Sequence, residues 1–216
     1  MKKIIVILIS FVAAACAKLT VFPLTDGQVS NADLSTYGYL IGSITFSGAY
    51  PKSNREMIDL GRENYRFSKY DFIFQGLDEG NSDIRGSVSP IPENHSQQYT
   101  KDDGDFAVKQ GRGYVFAVPV PAGNYEFYSY FYEADLTKYT PQKDFKLHFE
   151  VEPGKATYVG SINFDHQFGI GLLDMPFVKG ANISFSNDMQ RDVKLLKDKY
   201  TELQSVPVFP YLLSRR

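Results

Sequence analysis

The chain of 216 residues has one cysteine and no tryptophan. A single thiol excludes an intramolecular disulfide, so the fold must stand on packing alone. The three histidines, His95, His148 and His166, have no ligand-like spacing, and without a second thiol they make no zinc motif. Basic excess is missing as well. The 23 Lys and Arg face 25 Asp and Glu, net charge −2, and no basic stripe stands out, which argues against a nucleic-acid partner. There is no glycine-rich phosphate loop, no dinucleotide fingerprint and no serine in a glycine elbow; Ser43, Ser129 and Ser161 fall inside strand patterns instead. The chain therefore reads as non-enzymatic, with no cofactor.

One apolar run is long enough to notice. Lys2 and Lys3 precede Ile4 to Val12, which is apolar except for Ser10, and Ala13-Ala14-Ala15 lead into Cys16. A positive start, a short apolar stretch and small residues make a secretory signal, too short to span a bilayer as a mature helix. With the lone cysteine directly after it, the segment resembles a bacterial lipoprotein signal. That resemblance implies cleavage before Cys16, diacylglycerol on its thiol and an acyl chain on the new amine. Two or three chains hold a protein stably in a bilayer, where one holds it only marginally. Ala17 stands where an aspartate would resemble an inner-membrane retention signal, so the resemblance implies the outer membrane, with the domain facing the periplasm. Ala13 departs from the leucine usual three residues before the cysteine. Ala13-x-Ala15 also fits ordinary signal peptidase, which would leave an unlipidated secreted protein. Cleavage removes Lys2 and Lys3, taking the net charge from −2 to −4.

Four segments follow from the patterning: a signal at 1–15, a lipidated N-terminus and tether at 16–36, a β domain at 37–186, and a C-terminal helix with an extended tail at 187–216. Fully extended, some twenty tether residues would reach about 65 Å, unless Leu19, Val21, Phe22 and Leu24 dock on the domain. From Tyr37 the period is two. Leu40 to Phe46, Tyr70 to Phe74, Asp83 to Val88, Tyr125 to Tyr132, Phe145 to Val151, Ala156 to Phe164 and Ala181 to Ser186 are candidate strands. Gly113 to Val120 is nearly continuous in apolar residues, as a strand buried on both faces should be. Pro90 to Asp105 reads as a long exposed loop, and Met57 to Leu60 as a short helical turn. Met189, Val193, Leu196 and Tyr200 recur at helical spacing, with Asn187 or Asp188 as N-cap. The expected fold is mainly β: an antiparallel β-sandwich with one C-terminal amphipathic helix packed on it.

Two stretches carry a resemblance. Val118-Pro119-Val120-Pro121-Ala122-Gly123-Asn124-Tyr125 is similar to the proline–small–glycine–x–tyrosine hairpin of transthyretin-like and carboxypeptidase-regulatory-like sandwiches. Glu152-Pro153-Gly154-Lys155-Ala156-Thr157-Tyr158 resembles a later turn of bacterial lipoprotein domains sharing that architecture. The resemblance runs over about Tyr37 to Phe164. It implies a transthyretin-like or immunoglobulin-like sandwich and a place in the envelope, and it carries no catalytic residues.

Three features remain as candidates. Tyr128, Tyr130 and Tyr132, beside Glu126, share one face of an alternating strand. Exposed, they would suit a partner protein or a glycan; covered by the helix or a second sheet, they are core, which is the preferred reading. Asp78, Glu79, Asn81 and Asp83, and Asp102, Asp103 and Asp105, are oxygen-rich turns that calcium could use, although neither has a full calcium-loop ligand series. Together these readings describe an outer-membrane lipoprotein, bound to the bilayer through acylated Cys16 and acting as an adaptor or structural component with an envelope partner. The alternative is a small-ligand or glycan-binding module using the aromatic face.

Overall fold

The period-two segments become strands. The computed structural model describes residues 33–48, 67–89, 104–109, 111–134, 137–141, 145–170 and 176–213. Among them, β1 (Tyr37–Ser47), β2 (Phe67–Gly76), β3 (Arg85–Val88), β4 (Phe106–Val108) and β5 (Gly111–Pro121) are followed by β6 (Gly123–Ala134), β7 (Thr137–Tyr139) and β8 (Leu147–Val151). Then come β9 (Ala156–Ile170), β10 (Pro176–Ser186), helix α1 (Met189–Lys199), a 3-10 turn at Thr201–Leu203 and β11 (Val208–Pro210). The tail is extended as expected, since its two prolines forbid a helix interior. The predicted turn at Met57 to Leu60 and most of the Pro90–Asp105 loop lie outside the described residues.

Two sheets result. The larger runs β10-β9-β1-β5-β4, with β11 added to the start of β9; the smaller runs β3-β2-β6-β7, with β8 also on β6. Most pairings are antiparallel, but β1 and β11 both run parallel to β9, one on each side of Ala156. The proline–small–glycine turn is not a hairpin. β5 lies in the larger sheet and β6 in the smaller, so the chain turns the corner between sheets at Ala122. The Glu152–Lys155 turn does the same between β8 and β9. A local turn signal sets the reversal, and the strands' facing apolar sides set which sheet each one joins.

The facing sides make one aromatic core. Phe72 of β2, fully buried, meets Phe127 at 4.8 Å and Phe145 at 5.3 Å between ring centroids, both edge-on. It also reaches across to Phe164 of β9 and Phe185 of β10. Edge-to-face pairs of this kind add about 0.5–1.5 kcal/mol each beyond burial. With no tryptophan in the chain, phenylalanine and tyrosine fill the space between the sheets.

β9 needs a kink, and Gly160 supplies it. Its φ of +102° is a conformation that side-chain-bearing residues avoid, and it sits in the bulge opposite Ile41–Ser43. Just there the outer edge of β9 passes from β11, whose last partner is Tyr158, to β10, which begins at Ser161.

Phe72→Ala is expected to lower stability by about 3–5 kcal/mol, and Glu150→Ala, exposed on the other side of β8, by less than about 0.5 kcal/mol. Urea unfolding curves of the two variants check this contrast.

Candidate functional site

The tyrosine stripe does not form. Ile73 of β2 pairs with Ser129 and Phe74 with Phe127, so Tyr128 is an extra, bulged residue. A bulge reverses the pleat beyond it. Tyr125 and Phe127 point into the core before the bulge, and Tyr130 and Tyr132 point into it afterwards. Tyr132 is 2% exposed and stacks on Tyr139 at 4.6 Å; burial drives its hydroxyl pKa far up. Tyr128 is half-buried, away from the other two. The preferred core reading holds for Tyr130 and Tyr132.

The helix builds a polar centre that sequence reasoning missed. α1 lies on the outer face of the larger sheet, packing Leu196 and Tyr200 against Ile41, Val115, Ala117 and Tyr158. Asp192 is on that same face and is wholly buried. Its Oδ2 accepts hydrogen bonds from Ser43 Oγ (2.7 Å) and Tyr158 OH (2.8 Å), while Arg191 Nε donates to Oδ1 (2.8 Å). Arg191 also donates to Ser43 Oγ, and its guanidinium lies 3.9 Å from the Phe106 ring centre. Phe106 in turn covers Gly113, where an added Cβ would meet its ring at 2.1 Å. Burial, then the neighbouring Asp192 carboxylate, raise the Tyr158 hydroxyl well above its ordinary range, which keeps it a donor. The signal was present in the sequence: Asp192 falls three residues after Met189 and four before Leu196, on the apolar stripe, with an arginine beside it. Asp188 is the N-cap residue, yet its side chain takes Ser186 Oγ, and Asn187 Oδ1 accepts the Met189 N–H. All of these groups are satisfied within the fold, so the centre fastens the helix.

The histidines and acidic turns fall in separate places where described. His166 lies 4% exposed among Phe46, Tyr132 and Phe168, its Nδ1 against the Ser47 carbonyl. Burial pushes its pKa down to about 4. His148 is exposed, 4.0 Å from the buried Glu126, which Gln75 holds by a hydrogen bond. His95 lies outside the described residues. The turn at 78–83 clamps the corner between the sheets: Asp78 Oδ2 accepts the Asn124 N–H, and buried Asn81 donates to the Asn124 carbonyl. Gly123 has φ +150°, and a Cβ there would meet Asn81 Nδ2 at 2.3 Å. Tyr125 closes the corner by donating to the Pro121 carbonyl, its pKa pushed up to about 12 by burial. Asp105 accepts the Val115 N–H and pairs with Lys199; Asp102 and Asp103 lie outside the described residues. Among the described residues no three His, Cys, Asp or Glu gather as a metal site.

What stays open is one end of the sandwich. Cys16 and the tether to Ala32 lie outside the described residues, and the described chain enters at Asp33. The start of β1, the corner at Ala122, the 78–83 turn and the 152–155 turn meet at this end, through the pairs Tyr37–Pro121, Gly76–Tyr125, Gly123–Val151 and Tyr39–Ala156. Leu34, Leu77 and Phe209 are exposed here, with Tyr211 and Leu212 just above on the edge of β9. Ile170, the remaining exposed large apolar residue among those described, is at the opposite end. Around them stand Asp33, Asp78, Glu79, Asp83 and Glu152, with Lys155 over the Phe209 ring.

Known proteins add little. No protein-family model and no curated protein matches the chain. A solved structure, a leucine-rich repeat protein from Bacteroides thetaiotaomicron, aligns at 12% identity and a TM-score of 0.29 over 60% of this chain. The aligned part is only 14% of that protein, and so slight a likeness carries no inference.

Removing the buried carboxylate alone, as Asp192→Ala, leaves Arg191, Ser43 and Tyr158 without their acceptor and is expected to cost about 3–5 kcal/mol; thermal unfolding checks it. His166 remains neutral in the fold down to about pH 4, whereas in the unfolded chain it protonates below its ordinary 6.5. Its contribution is therefore complete above pH 6.5 and is lost as pH falls towards 4. The stability difference between wild type and His166→Phe should shift by about 3 kcal/mol over that window, as measured by urea unfolding at stepped pH.

Proposed function

We propose that this protein is a non-enzymatic bacterial lipoprotein of the outer membrane, anchored through acylated Cys16, whose β domain serves as an adaptor or structural part of an envelope assembly. The observation carrying this reading is the order of residues 1–16: two lysines, a short apolar run, three alanines and the one cysteine of the chain. An unpaired thiol in an oxidising compartment invites intermolecular pairing, and acylation removes it. No helix among the described residues is long and apolar enough to cross a membrane. In this reading the attachment to the membrane is the lipid anchor.

The fold's open end supports the adaptor role. The described chain enters at Asp33, at the end where Leu34, Leu77 and Phe209 are exposed. The carboxylates around them repel an anionic lipid surface. That rim suits a protein neighbour with apolar and basic side chains better than the bilayer itself. The alternative, a glycan or small-ligand binder using Tyr128, Tyr130 and Tyr132, loses its exposed ring stripe to the β6 bulge.

The intact mass of protein purified from membranes tests the anchor. Residues 16–216 plus diacylglycerol and one acyl chain are expected, with Cys16→Ser moving the protein to the soluble fraction; the unmodified mass in the soluble fraction would remove the anchor. Leu77→Glu with Phe209→Glu should leave the thermal midpoint nearly unchanged and abolish chemical cross-linking to envelope neighbours. Unchanged cross-links would place the partner surface elsewhere.

A further inference from the structure

The larger sheet ends on a long strand whose last seven residues carry none of the usual protections. Edge strands ordinarily carry a charge, a proline or a bulge, because their unpaired backbone groups can add a further strand. In β10, residues 180–186 read Gly-Ala-Asn-Ile-Ser-Phe-Ser, without charge or proline, and the only irregularity falls before them, between Val178 and Gly180. The strand is paired with β9 along one side, and among the described residues nothing pairs along the other. Of the other strands paired along one side only, β3, β4, β7 and β11 have three or four residues and β8 has five.

The side chains leave the same impression of an unfinished edge. Ala181, Ile183 and Phe185 face the core but are only partly buried, while Asn182, Ser184 and Ser186 are exposed on the outer face. A further strand would continue both rows.

We infer that β10 pairs antiparallel with β10 of a second copy of this chain, about a two-fold axis through Ile183, making one sheet that is continuous across the dimer. Three features of the strand favour itself as the partner. First, a two-fold normal to the sheet keeps both cores on the same side, and the pleat permits such an axis only through a residue, not between two. Second, an axis at Ile183 sets Phe185 of one copy opposite Ala181 of the other, large against small, and sets Asn182 opposite Ser184 on the polar face. Third, it carries exposed Lys179 of each copy towards the Asn187–Asp188 end of the other, adding a cation near an Asp188 carboxylate that Arg191 of its own chain approaches at 3.6 Å. A shift of two residues keeps the pleat and loses both of these matches.

The inference is independent of the lipid anchor, and its test separates the two. Sedimentation equilibrium of the full chain in density-matched detergent should give a dimer, and Cys16→Ser should leave it dimeric. Asn182→Lys with Ser184→Lys alters two exposed positions and sets like charges opposite one another across the seam. It is expected to weaken the dimer by at least about 100-fold, with the circular dichroism spectrum and thermal midpoint of the monomer retained. Register is read separately: in the Cys16→Ser background, Ile183→Cys should form a disulfide-linked dimer on oxidation far more readily than Asn182→Cys. A wild-type monomer at tens of micromolar, a dimer indifferent to the two lysines, or equal cross-linking at 182 and 183 would each overturn it.

Discussion

The larger sheet is apolar on both faces, and the rest of the structure follows from having to cover it twice. Leu40, Ile44 and Phe46 of β1 face the smaller sheet, while Tyr39 and Ile41 face outwards; Phe116 and Val118 of β5 alternate with Val115 and Ala117 in the same way. A sandwich covers only one of these faces. The helix, the 3-10 turn and the approach to β11 cover the other, placing Leu196, Tyr200, Leu203 and Val206 over it. At about 25 cal/mol per Å² of apolar surface removed from water, neither layer is dispensable for a domain without disulfides.

Apolar cover alone would let the helix slide. Asp192 holds it to one place, because a wholly buried carboxylate is tolerated only where every lone pair is met. Ser43 on β1, Tyr158 on β9 and Arg191 on the helix itself meet them from three directions. The Lys199–Asp105 pair and the Arg191 stack on Phe106 tie the same helix to β4 and its approach. The opposite side of the molecule is fastened by similar means at smaller scale, with Asp78, Asn81, Asn124 and Tyr125 binding one turn to the corner between the sheets.

The separation of the entry at Asp33 from the free edge of β10 follows from strand order. The parallel trio β1, β9 and β11 starts in one line, so both the entry at Asp33 and the C-terminal strand lie at the same end. β9 is longer than either neighbour on its outer edge, and β11 and β10 share that edge in tandem. β10 therefore lies up the sheet, away from Asp33, and among the described residues nothing pairs along its second side.

Strands, the helix and their buried faces were legible in the chain because they depend on local period: two for Leu40 to Phe46, 3.6 for Met189 to Tyr200. Gly113 to Val120 announced a doubly covered strand by its unbroken apolar run. What tertiary structure decided were the relations between segments. The turn at Ala122 resembles a hairpin and is a corner between sheets, as is the turn at 152–155, since a turn's residues specify a reversal but not which strands then pair. The tyrosine face of β6 vanished at Tyr128, because a bulge depends on the partner strand's register and leaves no mark in alternation. Asp192 looked like one more polar residue of an amphipathic helix until Ser43 and Tyr158, 149 and 34 residues away in the chain, converged on it.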